Sequence, residues 1–353
     1  MHINDLLTRA ITGGASDIHI TAGVGAIARV HGSLVLLHNG TFTGDDTMEF
    51  VRQVLPEDEY KSFLETGEYD CAYSIKGVSR FRVNVYRQRG CCAIAFRAIA
   101  DRAPTIDELA LPDVFKDLSK KPRGLILVTG PTGSGKSTSL AALINYINST
   151  RSCHIITIED PIEYLHAHRK CIINQRQIGK DTLSFSNALR GALRQDPDII
   201  LVGEMRDHET ISIALTAAET GRLVLSTLHT IGAAKTVDRI IDVFEPSQQP
   251  QVRVQLASVI EAVISQQIVP RMDVQGRVAA FEIMTAAPAI RALIREGKSH
   301  QMENVIQTSS ADKMITMDNS LLDLYWRGII SADEVMNRCV DEVTVRGQMN
   351  GRY

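Results

Sequence analysis

The sequence predicts an α/β protein of two domains, the second of which is a largely parallel sheet covered by helices. From Gly124 onward, short apolar segments of strand length alternate with longer segments of helical spacing. A glycine-rich stretch with the phosphate-loop pattern lies between the first of these strands and the helix that follows. The length of 353 residues fits about two domains of ordinary size.

The bulk composition is that of a globular protein, with 44% hydrophobic and 22% charged residues. A net charge of −3 excludes a whole-chain basic footprint for nucleic acid or anionic membrane. None of the six cysteines forms a C-x-x-C pair, so we expect reduced thiols in a cytosolic protein rather than a zinc site. No signal peptide and no apolar stretch of about 20 residues is present, so a membrane role would be peripheral.

Residues 1–100 are predicted to form an antiparallel α/β domain without a catalytic motif. The predicted helices are 3–11, 48–55 and 58–64. The predicted strands are 16–20, 27–30, 34–37, 69–75, 79–85 and 92–99, with hairpin turns at His31-Gly32-Ser33 and Lys76-Gly77.

Residues 101–122 are predicted to link the two domains, because prolines punctuate a polar and partly basic segment. A short helix from Ile106 to Leu109 is expected there, with Thr105 as its N-cap. The core domain then covers 123–286, with strands at 125–128, 155–158, 199–202, 223–226 and 278–283. Residues 287–353 are predicted to form a helical C-terminal region.

The phosphate-binding loop has the complete G-x-x-x-x-G-K-[ST] pattern, between an apolar strand and a predicted helix at 138–147. Glycines let the backbone turn its N–H groups toward phosphates, and the helix N-terminus adds a positive dipole end. Lys136 is expected to reach the β- and γ-phosphates, and the Ser137 hydroxyl to bind Mg²⁺. The predicted nucleotide-binding residues are Gly130, Pro131, Thr132, Gly133, Ser134, Gly135, Lys136, Ser137 and Thr138.

Carboxylates follow two of the predicted core strands. Glu159, Asp160 and Glu163 come after strand 155–158, where one of them would orient or deprotonate the attacking water; the competing interpretation is a solvated acidic turn. Glu204 follows strand 199–202 and is the candidate for direct or water-mediated contact with Mg²⁺, since Gly203 occupies the position where an aspartate is common. Asp207 is interpreted as a surface charge paired with Arg206.

A histidine and a group of arginines complete the candidate residues. His229 follows strand 223–226 and would hydrogen-bond the γ-phosphate; the alternative is a structural histidine. Arginines cluster in the last hairpins of the first domain, and phosphoryl transfer gains from an arginine that reaches the γ-phosphate. These arginines are Arg80, Arg82, Arg87, Arg89 and Arg97.

Taken together, these motifs resemble the motor ATPases of secretion systems and type IV pili, and most of all their retraction branch. The phosphate loop is followed in order by IEDPIE, DIILVGEMRD and STLHT, and SDIHI, SRFRVN and ALTAAETG also fit. The segment AIRALIRE at 289–296 resembles the family's AIRNLIRE signature, with Ala292 in place of the usual Asn. The match covers nearly the whole chain.

The resemblance implies a PAS-like first domain, a RecA-like second domain and a homohexameric ring that binds ATP and Mg²⁺ between the domains. It implies a cytoplasmic ring docked on a PilC-like platform protein of the inner membrane, with a paralogous retraction ATPase as a further partner. It assigns Glu163 as general base, Glu204 as the Walker B acid and His229 as the family's histidine. Arg82 and Arg97 resemble the arginines that the first domain offers to the phosphates.

The resulting hypothesis is an ATP-hydrolysing motor that retracts type IV pili. A PilU-like accessory retraction ATPase stays open, as does a RecA-like nucleic-acid translocase. The translocase is disfavoured by the acidic pI of about 6.4 and by the 5% aromatic content. A regulatory subunit that binds ATP without hydrolysing it is disfavoured by the presence of Lys136, Glu163, Glu204 and His229.

Overall fold

The computed structural model describes residues 1–30, 32–99 and 102–351. It divides into two compact units, Met1–Arg102 and Ala103–Tyr353. Each unit is α/β, as the sequence predicts.

The first unit is a six-stranded antiparallel sheet with three helices. Its strands are ordered β3-β2-β1-β6-β5-β4 across the sheet. The elements are α1 (Ile3–Thr12), β1 (Ala15–Thr21), β2 (Ile27–Val30), β3 (Ser33–Leu36), α2 (Gly44–Val54), α3 (Glu57–Thr66), β4 (Glu68–Ile75), β5 (Ser79–Gln88) and β6 (Cys91–Ile99).

All the predicted helices and strands of the first unit are confirmed, with small shifts at their ends. Helix α2 begins four residues before the predicted start because Thr43 and Asp46 form a capping box. The Thr43 hydroxyl accepts from the Asp46 N–H at 3.1 Å, and the Asp46 carboxylate accepts from the Thr43 N–H at 2.8 Å. His31, in the predicted hairpin turn, lies outside the described residues.

The segment expected to link the domains is instead part of the second unit. Its side chains at Ile106, Val114, Phe115 and Leu118 are buried in one of that unit's two main apolar clusters. The predicted helix from Ile106 to Leu109 is wrong: the chain makes a single turn there, in which Leu109 N donates to Thr105 O, and Ala110 then adopts a φ of 49°. A short helix, α4 (Val114–Leu118), follows it.

The second unit contains a seven-stranded sheet in the order β13-β12-β7-β11-β10-β8-β9. All neighbours are parallel except β12 and β13, which are antiparallel. The strands are β7 (Gly124–Thr129), β8 (His154–Glu159), β9 (Ile172–Gln177), β10 (Ile199–Val202), β11 (Leu223–Leu228), β12 (Ile260–Pro270) and β13 (Arg277–Thr285). Two of these strands were not predicted: β9, a mostly polar edge strand, and β12, whose apolar run is broken by Ser265, Gln266 and Gln267.

Helices cover both faces of this sheet, because alternate strand residues point to opposite sides. In β7, Leu125 and Leu127 join the cluster with α6–α9, whereas Ile126 and Val128 pack on the side of α5. The helices of the core are α5 (Lys136–Thr150), α6 (Phe185–Ala192), α7 (His208–Glu219), α8 (Ala233–Asp242) and α9 (Gln249–Val259).

The C-terminal region is helical, as predicted. Its longer helices are α10 (Pro288–Glu296), α11 (Met302–Thr308), α12 (Met317–Trp326), α13 (Ala332–Met336) and α14 (Glu342–Asn350). Helix α10 contains the AIRALIRE segment; it buries Ile290 and Ile294 and leaves Ala292 only partly covered.

Two further observations bear on the predictions from composition. Across residues 1–30, 32–99 and 102–351, no helix is long and apolar enough to cross a membrane. The six cysteines are all free thiols, and the Sγ atoms of Cys153 and Cys171 lie 3.3 Å apart at the start of β8 and β9.

Candidate active site

The phosphate-loop residues 130–135 connect β7 to α5, and Lys136 and Ser137 lie in the first turn of that helix, as the motif requires. A Cβ atom on Gly130 would lie 2.3 Å from the carbonyl oxygen of Gln266, and one on Gly135 would lie 2.9 Å from Gln266 Nε2. Both glycines also have positive φ, 139° and 86°. The loop therefore needs glycine at these positions because β12 passes directly behind it.

Gln266 supports the loop from behind and was not predicted. Its side chain is 2% exposed, and its Oε1 accepts a hydrogen bond of 2.8 Å from the Ser139 hydroxyl in the first turn of α5. A buried amide that is satisfied by the helix start fixes where α5 begins relative to β12. The sequence signal is the polar Ser265-Gln266-Gln267 run inside an otherwise apolar segment.

Lys136 is held inside the loop. Its Nζ donates to the carbonyl oxygens of Gly130 at 2.9 Å and Pro131 at 3.0 Å, and the residue is 8% exposed. Burial lowers the pKa of Lys136, and the negative charges of Glu204 and Glu163 oppose that shift. The structure therefore brings both predicted carboxylates into the electrostatic environment of the loop lysine.

Glu204 is the centre of a polar group at the ends of β10 and β11. Its Oε1 accepts from Arg206 Nε in an ion pair and lies 3.2 Å from His229 Nε2. The side chain of His229 is 45% exposed and that of Glu204 is 19% exposed. Asp207 does not pair with Arg206 as expected; it caps α7, accepting from Thr210 N at 2.8 Å.

The strand ends that carry these groups are tied together by backbone and hydroxyl contacts. Gly203 N donates to Ile158 O at 2.8 Å, and the Thr227 hydroxyl donates to Gly203 O at 2.6 Å. The ends of β8, β10 and β11 therefore form one connected edge, which is the carboxyl edge of the parallel sheet.

The segment after β8 divides its acidic residues between two environments. Glu159 accepts from the Thr157 hydroxyl at 2.6 Å and from Gln175 Nε2 at 3.1 Å; burial raises its pKa, while these hydrogen bonds lower it. Glu163 is exposed, and the bond between Asp160 and Pro161 is cis. Glu159 is thus a partly buried acid held by hydrogen bonds, whereas Glu163 is exposed to solvent.

Tyr164 fixes this segment to the start of α5. Its hydroxyl lies 3.0 Å from the Thr138 hydroxyl, and its carbonyl oxygen accepts from Gln175 Nε2 at 2.8 Å. Neither Tyr164 nor Gln175 was predicted, because neither lies in the glycine loop or at a strand end that the sequence revealed.

The oxygen donors at this edge suit Mg²⁺, which prefers oxygen ligands and often keeps only one or two protein carboxylates, completed by phosphate oxygens and water. Ser137 supplies a hydroxyl and Glu204 a carboxylate. Over the described ranges there is no cluster of three or more His, Cys, Asp or Glu residues placed to hold a metal alone. One hydroxyl and one carboxylate fit a Mg²⁺ ion whose other ligands are phosphate oxygens and water.

In the first unit, Arg82 and Arg97 are direct cross-strand partners on β5 and β6. Arg97 Nε donates to Asp17 Oδ1 at 2.8 Å, and 71% of the Arg97 side chain remains exposed. Two like charges directly opposite each other destabilise a sheet, and Asp17, the partner of Arg97 on β1, offsets part of that charge. Both arginines remain exposed on the first unit.

The comparisons with known proteins agree with this architecture. A family model described as "Type II/IV secretion system protein" matches residues 79–337. The type IV pilus retractation ATPase PilT of Pseudomonas aeruginosa is 47% identical over 338 residues, covering 96% of this chain and 98% of that protein. The type IV pilus ATPase PilU of the same organism is 40% identical over 336 residues, covering 95% of this chain and 88% of that protein.

A solved structure extends the similarity to three dimensions. The crystal structure of the pilus retraction motor PilT with bound ADP has a TM-score of 0.92 and 44% identity, and the match covers 98% of each chain. The chain therefore belongs to the Type II/IV secretion system protein family, within the group of PilT-type pilus retraction ATPases.

Proposed function

We propose that this chain is an ATP-hydrolysing motor that powers retraction of type IV pili. The observation that carries the proposal is the complete phosphate loop with Lys136 buried inside it, where the negative charges of Glu204 and Glu163 act on that lysine, in a chain that is 47% identical to PilT over nearly its whole length. A loop lysine alone supports binding of a triphosphate. Carboxylates at the same sheet edge supply what hydrolysis needs.

The roles proposed for the chain's own residues follow from their positions. The loop N–H groups and Lys136 hold the β- and γ-phosphates, and Thr138 adds a hydroxyl at the start of α5. Ser137 and Glu204 would hold Mg²⁺, which neutralises charge on the phosphates when it is bound. Glu163, exposed beside the loop, orients and deprotonates the attacking water.

His229 is proposed to hydrogen-bond the γ-phosphate, and its contact with Glu204 would then change when the phosphate binds. Its Nε2 already lies 3.2 Å from Glu204 Oε1, so His229 can exchange its contact with Glu204 for a hydrogen bond to the γ-phosphate when the phosphate arrives. The alternative of a purely structural histidine is disfavoured by its 45% side-chain exposure.

The first unit is proposed to supply Arg82 and Arg97 to the nucleotide phosphates. Arg97 is paired with Asp17 but its side chain is still 71% exposed, and an arginine on the transferred phosphate raises turnover by about 10³–10⁵-fold in other phosphoryl transfers. Delivery of the two arginines on domain movement would connect hydrolysis to mechanical work.

We further propose that the chain assembles as a homohexameric ring on the cytoplasmic face of the inner membrane. Its partners would be other copies of itself, a PilC-like platform protein and a paralogous retraction ATPase. A PilU-like accessory role is the second candidate, because PilU also matches nearly the whole chain, at 40% identity; the higher identity to PilT favours the principal motor.

The hydrolysis part is tested with purified protein. Lys136→Ala is expected to keep the fold and lose ATP turnover, whereas Lys76→Ala, in the exposed turn between β4 and β5, is expected to keep it. Full turnover by Lys136→Ala would overturn the proposed enzyme activity. Turnover stimulated by single- or double-stranded DNA would favour the translocase alternative.

The retraction part is tested in the source cell. Cells carrying Lys136→Ala are expected to be hyperpiliated and unable to twitch, with Lys76→Ala cells normal. Bald cells would indicate pilus extension and contradict retraction. Normal twitching that is lost only under load or without a second ATPase would indicate the accessory role.

A further inference from the structure

A nearly buried carboxylate outside the candidate active site joins two helix starts. Glu282 on β13 is 9% exposed, and its Oε1 accepts from the N–H of Ala233, the first residue of α8, at 2.6 Å. The backbone N–H of Met317, the first residue of α12, also lowers the pKa of Glu282, and the adjacent Phe281 N on β13 donates to the Ser320 hydroxyl of α12 at 3.0 Å. These helices begin 84 residues apart in the sequence (317 minus 233).

The charge at Glu282 is stabilised by these helix starts, and among the residues that the structure describes no cation forms an ion pair with it. Burial raises the pKa of Glu282, its hydrogen bonds to Ala233 and Met317 lower it, and the nearby charges of Glu303 and Asp318 raise it. A helix N-terminus presents unpaired N–H groups and a positive dipole end, so two of them suit one carboxylate. An uncharged amide has only one acceptor oxygen and would leave a donor facing an N–H group.

The start of α8 is also the end of the loop that carries His229. Between them, Gly232 N donates to the Ser265 hydroxyl at 3.0 Å, and Ser265 is the cross-strand partner of Glu282. The Thr236 hydroxyl donates to Gly232 O at 2.7 Å. Ser265 and Glu282 therefore fix the far end of residues 229–232, while Glu204 contacts the near end through His229.

We infer that Glu282 is a positioning residue, which holds the 229–232 loop so that His229 faces Glu204 and links that loop to α12 of the C-terminal region. A displacement of α12 then moves the anchor of the His229 loop, and the C-terminal helices become coupled to hydrolysis. This inference rests on the proposed function, in which His229 acts in ATP turnover.

The test is a double-mutant cycle on the ATPase rate. Glu282→Gln is expected to lower kcat by about tenfold, within the range of coupling between residues that share a network, while KM for ATP changes by less than about twofold because the phosphate loop is untouched. In a His229→Ala background, Glu282→Gln should lower kcat no further. A purely structural role would lower kcat by the same factor in both backgrounds.

A matched control separates positioning from general loss of a helix cap. Asp341 accepts from the N–H groups of Val343 and Thr344 at 3.1 Å and caps α14, also in the C-terminal region. Asp341→Ala removes this cap and should keep kcat. If Glu282→Gln does not fold, Ser265→Ala removes the neighbouring anchor of Gly232 without a charge change and should show the same dependence on His229.

Three results would overturn the inference. They are an unchanged kcat in folded Glu282→Gln, equal losses with and without His229, and an unchanged kcat in His229→Ala. In the last case, loss of turnover in Lys136→Ala would leave ATP hydrolysis standing while the positioning of His229 falls. Turnover that survives in Lys136→Ala would instead refute the proposed function itself.

Discussion

Replacing His166 with leucine is expected to remove an acid-dependent loss of stability from the second unit. His166 lies in the loop between β8 and β9, three residues after Glu163, and its N–H donates to Gln175 Oε1 at 2.8 Å. Burial lowers the pKa of His166 from 6.5 to about 4. Between about pH 4 and 6.5, His166 therefore binds a proton in the unfolded chain but not in the folded chain.

The sign and size follow from proton linkage. Above pH 6.5 neither state binds the proton at His166, so the penalty is absent. As the pH falls from about 6.5 to 4, the unfolded state is protonated first, and the free energy of unfolding decreases by about 2 kcal/mol at pH 5 and about 3 kcal/mol at pH 4. The residue responsible for this decrease lies in the same loop as Glu163.

Urea unfolding at pH 7.5 and pH 5.0 measures the effect, followed by fluorescence of Trp326, the single tryptophan, which lies in α12 of the second unit. Wild type should lose about 2 kcal/mol more than His166→Leu between the two pH values. The same substitution at the exposed His300 is the control and should leave the wild-type dependence unchanged. Equal pH dependence in wild type and His166→Leu would refute the reasoning, as would an NMR titration of His166 with a midpoint near 6.5.

Two other substitutions examine the support of the loop and the arginines of the first unit. Gln266→Ala removes the acceptor of the Ser139 hydroxyl. It should lower the free energy of unfolding by about 1–3 kcal/mol in urea and weaken ATP binding in a nucleotide titration. Unchanged binding would show that β12 does not shape the loop. Arg97→Ala should lower kcat by about 100-fold or more if its guanidinium meets phosphate, whereas Asp17→Ala, which only releases that guanidinium, should not. Equal losses in the two variants would make the Asp17–Arg97 pair structural.

The phosphate loop could be predicted because all its requirements are local. Strand, glycines, lysine and helix follow one another within residues 124–150, and no distant contact is needed to interpret them. The acidic residues could be predicted for a second reason, since side chains that follow parallel strands meet at one edge of the sheet whatever the strand order.

The supporting residues could not be found in this way, because their partners are distant in the sequence. Gln266 meets Ser139 across 127 positions, and Glu282 meets Ala233 across 49. A single polar residue in an apolar strand indicates that a buried hydrogen-bond partner lies opposite it. That partner can be identified only once the order of the strands is known.

The prediction that residues 101–122 form a linker was wrong for a related reason. Its prolines and charges are typical of a linker, yet Ile106 and Phe115 are each 1% exposed or less because they pack against the sheet of the second unit. The apolar residues of the segment are visible in the sequence, but its prolines and charges were given more weight. The boundary between the compact units lies near the start of this segment, between Arg102 and Ala103.

The central claim is that Glu163 and Glu204 turn ATP binding at the Lys136 loop into hydrolysis. Its most direct test is the rate of phosphate release by Glu163→Gln and Glu204→Gln, with ATP binding measured on the same preparations. Both variants should bind ATP and release phosphate about 100-fold or more slowly than wild type. Wild-type rates in either variant, with binding intact, would contradict the claim.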